Sequence, residues 1–511
     1  MAELGILGAG TMGAGIARLA GEHGVATRLH DTDAAALERA LGRLPEAAAA
    51  HVRPAAALDD LAGCDVVIEA VPEDLDLKRA LLGRVAAVVG DGCVLATNTS
   101  SLPVTAIAAG VPRPQRVVGL HFFNPPHRMR LVELVAGDET EEAALERAAR
   151  LARALGREVI RAADTIGFVV NRVNRPFVLE AQKLVAERVA SVEQLDRIAR
   201  LGGGFRMGPF ELQDLIGLDT NLSIQRSFWE QSFGEPRWRP SPLTARMVAA
   251  GRLGRKAGRG WYAWGEDGRA QRPVDPPAPP GPDATAGQGR LVVIAGDLAI
   301  AHELRILADD AGWDVREPQD AEGEVPELIL DCGAQPDEHP LQGGPQALLL
   351  ADGSLAQLDP GGASVGFHAL PPLAPGGVVE LTRSRDSAGR AAQAAEAFFH
   401  SLGLRTEWVA DAPGLVLGRI VCQLVNEAAF AVGEGVASPE DVDTGMVLGL
   451  NHPRGPLRWG DEIGLDHVLA VLDALHDELR EERYRAAPLL RRLVAEGRTG
   501  VLAGEGFHRH E

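Results

Sequence analysis

Four polar residues of types common in catalytic sites lie near predicted element ends in the first half of the chain. His121 ends a predicted strand, and Glu133 lies in the next apolar run, Leu131 to Val135. Adjacent strands would bring the carboxylate to the imidazole, giving a general base oriented by an acid. Ser100 follows another predicted strand, and Asn171 lies in the first helix of a later helical part. Each also has a purely structural interpretation: Ser100 could cap a helix, and Asn171 could be a buried polar residue hydrogen-bonded to the backbone.

A glycine-rich turn at the start of the chain has the spacing of a dinucleotide-binding loop. It follows a short apolar run, opens a predicted helix and reads G-x-G-x-x-G. Such glycines allow backbone amides to approach a pyrophosphate at the helix N-terminus. Asp31 ends the next predicted strand and would bind the adenosine ribose while repelling a 2′-phosphate, which favours NAD(H). The predicted contacts of the loop are Gly8, Gly10, Thr11, Met12 and Gly13.

Buried strands alternate with helices up to about Asp164, after which the pattern is helical. Alternation of this kind predicts an α/β doubly wound parallel sheet of the Rossmann type, followed by an all-helical domain. The sheet must therefore position the histidine, glutamate and serine, and the first helix beyond it must position Asn171.

The whole two-part module is repeated. GLHFFNPPHRMRLVEL from Gly119 matches GFHALPPLAPGGVVEL from Gly366, and DTIGFVVNR from Asp164 matches DAPGLVLGR from Asp411. Each pair is 247 positions apart, since 366 − 119 and 411 − 164 both equal 247. A third match, between positions 207 and 454, keeps the same offset. Several matches in one order indicate an internal duplication.

The second copy is predicted to be degenerate. Its first strand, Leu291 to Ile294, runs into AGDLA without the glycine triplet, so no second NAD site is expected. The counterparts of the serine and asparagine are Gly353 and Gly418, whereas His368 and Glu380 persist. A proline- and glycine-rich segment reads as a linker between the copies. The predicted boundaries are 1–163, 164–264, 265–290 (the linker), 291–410 and 411–511.

Composition restricts the class of partner. The chain has 51 basic and 71 acidic residues and a net charge of −20, which disfavours nucleic acid and anionic lipid as main partners. No run of about 18 apolar residues predicts a membrane span. The four cysteines are widely spaced and form neither a metal motif nor a disulfide framework, which fits a cytoplasmic protein without a metal.

The motifs GAGTMGAGIA, NTSSL, GLHFFNP, LVEL, DTIGFVVNR and MGPFELQDLIGLD occur in the order and spacing of a known family. The chain resembles the L-3-hydroxyacyl-CoA dehydrogenases and, in its duplication, the long bacterial form of that family found in aromatic-acid catabolism. The resemblance implies NAD-dependent oxidation of a small-molecule acyl-CoA substrate. It implies that His121 is the base, Glu133 its partner, and Ser100 and Asn171 the groups that position the substrate. It also implies cofactor contacts by Asn98, Glu73 and Lys78.

Two departures from the family pattern bear on the substrate. The family usually has proline where Ile166 stands, which is a small change. The stretch between Asp31 and the strand at Val66 is shorter than the helical excursion that helps CoA-using relatives hold their substrate. A hydroxyacyl group on another carrier, or a free hydroxy acid, therefore stays open. A non-catalytic NAD-binding regulator is a third hypothesis. The arginines in this stretch, which would either meet a phosphate or be solvated, are Arg39, Arg43 and Arg53.

Single-module relatives dimerise through their helical domains. The resemblance therefore implies that residues 411–511 pack on residues 164–264 as an intramolecular pseudo-dimer, with a further homodimer left open.

Overall fold

The computed structural model describes residues 3–281, 283–333, 343–385, 387 and 389–510. These residues form two compact units. The first comprises residues up to 172 together with 434–451, and the second comprises residues 173–433 and those from 452 onward. A helix from the second half of the sequence thus belongs to the first unit.

The first unit contains an eight-stranded sheet within residues 3–172, all of which are described. The strand order is β3-β2-β1-β4-β5-β6-β7-β8, and every neighbouring pair is parallel except β6 and β7. This order, with crossover helices, confirms the predicted doubly wound fold. The strands are β1 (Leu4–Leu7), β2 (Thr27–His30), β3 (Val52–Pro54), β4 (Val66–Glu69), β5 (Val94–Thr97), β6 (Val117–Phe122), β7 (Leu131–Ala136) and β8 (Glu158–Ala163).

Helices cover this sheet because its central strands are apolar on both faces. Strands β1, β4, β5 and β6 are buried along their whole length. A strand buried on both faces reads as a continuous apolar run, which is why these strands could be predicted. Strand β3 is short and pairs with β2 at the sheet edge. The helices are α1 (Thr11–Glu22), α2 (Ala34–Gly42), α3 (Glu46–Ala49), α4 (Leu75–Ala86), α5 (Val104–Ala108) and α6 (Glu142–Ala154).

The second unit contains a sheet of the same topology. Its order is β10-β9-β11-β12-β13-β14-β15 among the described residues, with β14 antiparallel to β13. The order equals that of the first sheet without a counterpart of β3, so the duplication predicted from the sequence is a duplication of fold. The strands are β9 (Leu291–Ala295), β10 (Asp314–Arg316), β11 (Leu328–Asp331), β12 (Gln346–Leu349), β13 (Val365–His368), β14 (Val378–Arg383) and β15 (Arg405–Trp408).

Helices follow each sheet in the sequence, as predicted. Those after the first sheet are α7 (Val170–Val173), α8 (Arg175–Ala186), α9 (Val192–Leu201), α10 (Pro209–Ile216), α11 (Leu218–Gln231) and α12 (Pro242–Ala249). Those within the second sheet region are α13 (Ala299–Asp310), α14 (Leu355–Leu358) and α15 (Gly389–Ser401). Those after it are α16 (Leu417–Gly433), α17 (Pro439–Leu450), α18 (Pro456–Ile463), α19 (Leu465–Leu479) and α20 (Pro488–Ala495). None of the helices in the described part of the chain is long and apolar enough to cross a membrane.

Helices of the two copies pack on one another inside the second unit. Helix α8 packs against α16, and a buried ionic network joins them. Arg419 of α16 is 1% exposed and donates to Glu180 (2.9 Å), Glu187 (2.7 Å) and the hydroxyl of Tyr484 (2.9 Å). Removing one member of such a network would leave an uncompensated buried charge.

One helix of each copy packs on the sheet of the other copy. In the first unit, the Ala163 amide at the end of β8 donates to the Val436 carbonyl, just before α17, at 2.8 Å. In the second unit, the Ala410 amide donates to the Val189 carbonyl, just before α9, also at 2.8 Å. The two contacts involve equivalent residues, since 410 − 163 and 436 − 189 both equal 247. The same docking contact therefore occurs once in each unit.

We expect Arg419→Ala to lower the free energy of unfolding by about 3–5 kcal/mol, because the Glu180 carboxylate stays buried without its cation. Urea denaturation followed by circular dichroism measures the change. The matched control is Arg491→Ala, which removes an exposed helix arginine paired with Asp473 and is expected to cost about 1 kcal/mol or less. Equal losses for the two variants would contradict the expectation.

Candidate active site

His121 and Glu133 form a buried pair on the antiparallel strands β6 and β7. The strand register places them directly opposite one another. Nδ1 of His121 donates to Oε2 of Glu133 at 2.7 Å, and the Glu133 side chain is fully buried. Because Nδ1 is engaged by the carboxylate, Nε2 is the ring nitrogen left to exchange a proton with a ligand.

The second carboxylate oxygen of Glu133 ties the pair to the start of the helical part. Oε1 accepts the backbone N–H groups of Val169 and Val170, at 3.1 and 2.9 Å. Asn171 follows at once in α7. The buried carboxylate therefore fixes three things together: the imidazole, the turn at residues 169–170, and the backbone that carries Asn171.

One cavity brings most of the predicted catalytic residues together. It has a volume of about 360 Å³, and His121, Ser100 and Asn171 all line it, with Glu133 directly behind the histidine. The predicted cofactor contacts Met12, Glu73 and Asn98 line the same space. The remaining lining residues are Ala70, Val71, Phe122, Phe123, Asn124 and Leu450.

Glu73 organises the turn that follows β5. Its Oε1 accepts the Thr99 hydroxyl at 2.5 Å and the amides of Ser100 and Ser101 at 3.0 and 3.1 Å. Burial by itself would raise the pKa of Glu73, but the ammonium group of Lys78 and these hydrogen bonds outweigh it, so the pKa lies below its usual range. Glu73 thus presents a carboxylate at the cavity and holds Ser100 in place.

Lys78, which the family resemblance implied as a direct cofactor contact, lies behind the cavity and is not among its lining residues. Its side chain is 1% exposed, and its ammonium group contacts Glu69 at 2.7 Å and Glu73 at 3.2 Å. Lys78 is thus linked to the cavity by its ion pair with Glu73, which lines the cavity. Glu69 is buried and also accepts the Thr97 hydroxyl. It is not among the site residues predicted from the sequence, although an acid at the end of an apolar strand is a signal that could have identified it.

The glycine loop has the geometry that its spacing predicts. Gly8 has φ +99°, and a Cβ there would lie 2.7 Å from the Ala70 carbonyl oxygen. A Cβ on Gly13 would lie 1.8 Å from the Gly8 carbonyl oxygen, so α1 packs tightly on the loop. A Cβ on Gly10 would meet nothing within 4 Å, which leaves the N-terminus of α1 open to a ligand. These observations fit a pyrophosphate seated on the first amides of α1.

Asp31 lines a different cavity from His121. It follows β2, and its carboxylate accepts the Ala9 amide at 2.6 Å. The cavity it lines measures about 850 Å³ and also includes His30 and Thr32. In the sheet order, β1 and the glycine loop that follows it lie between β2, which precedes Asp31, and β6, which carries His121. This arrangement is expected for a ligand whose two ends occupy different sites.

The second copy keeps the residue types of the pair but not its geometry. His368 is fully buried, and its Nε2 contacts Nε2 of His467 at 3.1 Å instead of a carboxylate. The two Glu380 oxygens accept the amides of Val416 and Leu417, one each. Gly418 is the counterpart of Asn171, and a Cβ on it would lie 2.3 Å from the His368 ring. The ring therefore fills the space that an asparagine side chain would need at this position. The predicted degenerate copy is confirmed in its fold and in this broken pair.

We expect Gly13→Ala to raise the Kd for NADH by about tenfold or more, because a methyl group 1.8 Å from the Gly8 carbonyl oxygen must push α1 away from the loop. Fluorescence titration of NADH measures the change. Gly90→Ala, at a glycine with nothing within 4 Å, is the control and is expected to bind NADH as the parent chain does. Unchanged NADH binding by Gly13→Ala would show that the loop does not form part of the NADH site.

Comparison with known proteins agrees with this geometry. The family model for the NAD binding domain of 3-hydroxyacyl-CoA dehydrogenase matches residues 3–165, and that for its C-terminal domain matches residues 167–264 and 414–510. The chain is 34% identical over 509 residues to 3-hydroxyadipyl-CoA dehydrogenase of Escherichia coli K12, covering 95% of this chain and 96% of that protein. It is 41% identical over 281 residues to 3-hydroxybutyryl-CoA dehydrogenase of Mycobacterium tuberculosis H37Rv, covering 51% of this chain and 98% of that protein.

A solved structure gives the same result. The crystal structure of 3-hydroxybutyryl-CoA dehydrogenase from Escherichia coli K12 aligns with a TM-score of 0.80 at 33% identity, covering 97% of this chain and 99% of that chain. The chain therefore belongs to the 3-hydroxyacyl-CoA dehydrogenase family, as an oxidoreductase that uses NAD.

Proposed function

We propose that this enzyme interconverts an L-3-hydroxyacyl-CoA and the corresponding 3-oxoacyl-CoA. The observation that carries the proposal is the buried His121–Glu133 pair facing a cavity shared with Ser100 and Asn171, next to the glycine loop. A protein that only bound NAD would need the loop but not these four residues. The names of its relatives, 3-hydroxyadipyl-CoA and 3-hydroxybutyryl-CoA dehydrogenase, support the substrate class.

In the proposed mechanism, His121 is the general base. Its Nε2 accepts the proton of the C3 hydroxyl as a hydride leaves C3, and the C3–O bond becomes a carbonyl. NAD, when bound, accepts that hydride. The resulting imidazolium is stabilised by the Glu133 carboxylate through Nδ1, in a buried setting where charges interact strongly. In the reverse direction, the imidazolium returns the proton to the C3 oxygen.

Ser100 and Asn171 position the substrate in this proposal. Both line the cavity with His121 and offer hydrogen-bonding groups for the C3 oxygen and the thioester carbonyl. Ser100 is held through its amide by Glu73, and Asn171 follows the turn held by Glu133. Two carboxylates thereby fix the backbone beneath both groups. In the proposed domain division, residues 1–163 bind the cofactor, and Asn171 comes from the segment that follows them.

We expect His121→Ala to lower turnover of 3-oxobutyryl-CoA by about 10² to 10⁴, because the proton-transfer group is lost. The Kd for NADH should stay within about twofold, since the glycine loop is unchanged. Turnover is followed by NADH absorbance and binding by fluorescence. His51→Ala, at an exposed histidine of the same unit, is the control. Near-parental turnover of His121→Ala would exclude His121 as the base.

A basic cavity beside the glycine loop supports CoA as the carrier. It measures about 440 Å³, and Gly10, Thr11, Arg18, Arg39, Arg43 and His127 are among its lining residues. Nδ1 of His127 is buried and has no hydrogen-bond partner among the described residues. Burial, followed by the positive charges of Arg18 and Arg128, lowers the pKa of His127. The positive potential matches the phosphates of a CoA thioester.

Two of the three arginines that the sequence offered as phosphate ligands line this cavity, and the third does not. Arg39 and Arg43, on or just after α2, line the basic cavity. Arg53, on β3, donates to the carbonyls of Ala49 and Val52 instead. Arg18 and His127 were missed because each stands far from α2 in the sequence, and a local pattern does not signal the fold that brings them to it. The stretch after Asp31, although shorter than in CoA-using relatives, thus contributes Arg39 and Arg43 to the proposed CoA site.

We expect the double substitution Arg39→Ala/Arg43→Ala to raise KM for 3-oxobutyryl-CoA by about tenfold, because two phosphate partners are lost. The KM for the N-acetylcysteamine thioester of the same acyl group, which has no phosphates, should not change. The control is Arg53→Ala, expected to leave both values unaffected. Equal KM changes for the two thioesters would argue against CoA binding in this cavity, and activity of the parent chain on free hydroxy acids alone would overturn the CoA assignment.

We further propose that the second copy acts as an internal partner, giving a pseudo-dimer within one chain. The Arg419 network between α8 and α16, and the equivalent docking of α17 and α9, support this proposal. A single copy would expose the apolar helix faces that these contacts bury. The second copy would then stabilise the enzyme without performing its chemistry.

A further inference from the structure

Helix α17, from the second copy, ends at the wall of the active-site cavity. Leu450 is the last residue of this helix, and it lines the cavity together with His121, Ser100 and Asn171. Asn451 follows in the left-handed conformation, with φ 56°, which ends the helix at that point. A residue from the degenerate copy therefore stands among the residues of the intact site.

Two glycines let α17 approach the sheet closely. A Cβ on Gly445 would lie 2.9 Å from Cδ1 of Ile160, and one on Gly449 would lie 2.9 Å from Cδ2 of Leu131. Both would also lie 3.2 Å from methyl groups of Val170. Gly445 and Gly449 are four positions apart and share one face of the helix. The helix is thus seated directly on β7, β8 and the residue before Asn171.

The seat of α17 is fixed at its N-terminal end as well. The Ala163 amide donates to the Val436 carbonyl at 2.8 Å, and the Arg161 amide donates to the Asp441 carboxylate at 3.4 Å. Contacts at both ends of a helix leave its last side chain little freedom to move away. Leu450 therefore belongs to a wall that packs on the side chain of Val170, the residue whose amide binds Glu133.

The chemistry of the lining indicates what Leu450 contacts. None of the twelve lining residues is a lysine or arginine, and Glu73 is the one carboxylate among them. A carboxylate at the end of an acyl chain would meet no lysine or arginine on these walls and would share the cavity with the Glu73 carboxylate. Leu450 instead offers apolar surface, whose burial against a hydrocarbon chain is favourable. The lining thus fits an uncharged acyl group.

The equivalent position in the first copy is a glycine. Since 450 − 247 = 203, the counterpart of Leu450 is Gly203, two residues beyond the end of α9. In the second unit, α9 docks in the same way: a Cβ on Gly203 would lie 2.9 Å from Leu417, the counterpart of Val170. The segment after α9 has no side chain at this position, whereas α17, which ends at the wall of the intact site, has a leucine. One chain with two copies permits this difference, which a homodimer of identical subunits does not.

We propose that Leu450 is an acyl-specificity residue, through which the second copy sets the length of the uncharged acyl group accepted by the first. This inference rests on the proposed function of the cavity. Changing the volume of a side chain in a specificity wall by one to a few methylenes shifts discrimination between substrates by about tenfold or more.

The test compares the full chain with Leu450→Ala and Leu450→Phe, using NADH and either 3-oxobutyryl-CoA or 3-oxohexanoyl-CoA. The quantity measured is the ratio of kcat/KM for the six-carbon substrate to that for the four-carbon substrate. Leu450→Ala enlarges the cavity and should raise the ratio about tenfold, and Leu450→Phe should lower it about tenfold. The Kd for NADH should be unchanged in both. The matched control is Leu448→Ala, on the same helix but outside the cavity lining.

The outcomes separate this inference from the proposed function. If the parent chain reduces neither substrate, the proposed function fails. If the parent chain is active but the ratios of both Leu450 variants equal that of Leu448→Ala, or if both variants shift the ratio in the same direction, the specificity role of Leu450 is overturned. Because the two substitutions change the side-chain volume in opposite senses, either variant alone contradicts the proposal if its ratio moves the wrong way or does not move.

Discussion

The buried carboxylate of Glu133 is the interaction on which the site depends. One oxygen binds the imidazole of His121, and the other accepts the amides of Val169 and Val170. A carboxylate without solvent must have its hydrogen-bonding capacity filled by the protein, so the strands and the start of the helical part must meet at this point. The orientation of the base and the place of Asn171 both follow from that requirement.

The second copy shows what happens when this interaction changes. Glu380 has two backbone amides bound to its two oxygens, and His368 turns to His467. The ring then occupies the space above Gly418, where an asparagine would not fit. The same strand pairing is kept, since His368 still lies opposite Glu380 in the register. Fold and register thus outlast the geometry that chemistry needs, because packing depends on shape and burial, whereas proton transfer depends on specific atoms within hydrogen-bond reach.

An acidic protein binds anionic ligands here by local means. The net charge is −20, yet the glycine loop exposes the first amides of α1, and Arg18, Arg39 and Arg43 gather beside it. Local dipoles and cations act over a few ångströms, whereas the distributed negative charge is screened by salt over about 8–10 Å. The proposed carrier site therefore does not conflict with the overall charge.

The sequence by itself determined the doubly wound fold, the duplication, the glycine loop and the pairing of His121 with Glu133. Each depends on a local pattern, or on two adjacent strands whose residues alternate in a fixed way. Only the tertiary structure decided that Lys78 acts behind Glu73, that Arg18 and His127 join Arg39, and that Leu450 reaches the cavity of the other copy. The burial of Lys78 and the gathering of cations around Arg39 depend on how side chains pack in the folded unit, which no local pattern records. The place of Leu450 depends on packing between segments far apart in the chain, which close approach at Gly445 and Gly449 permits.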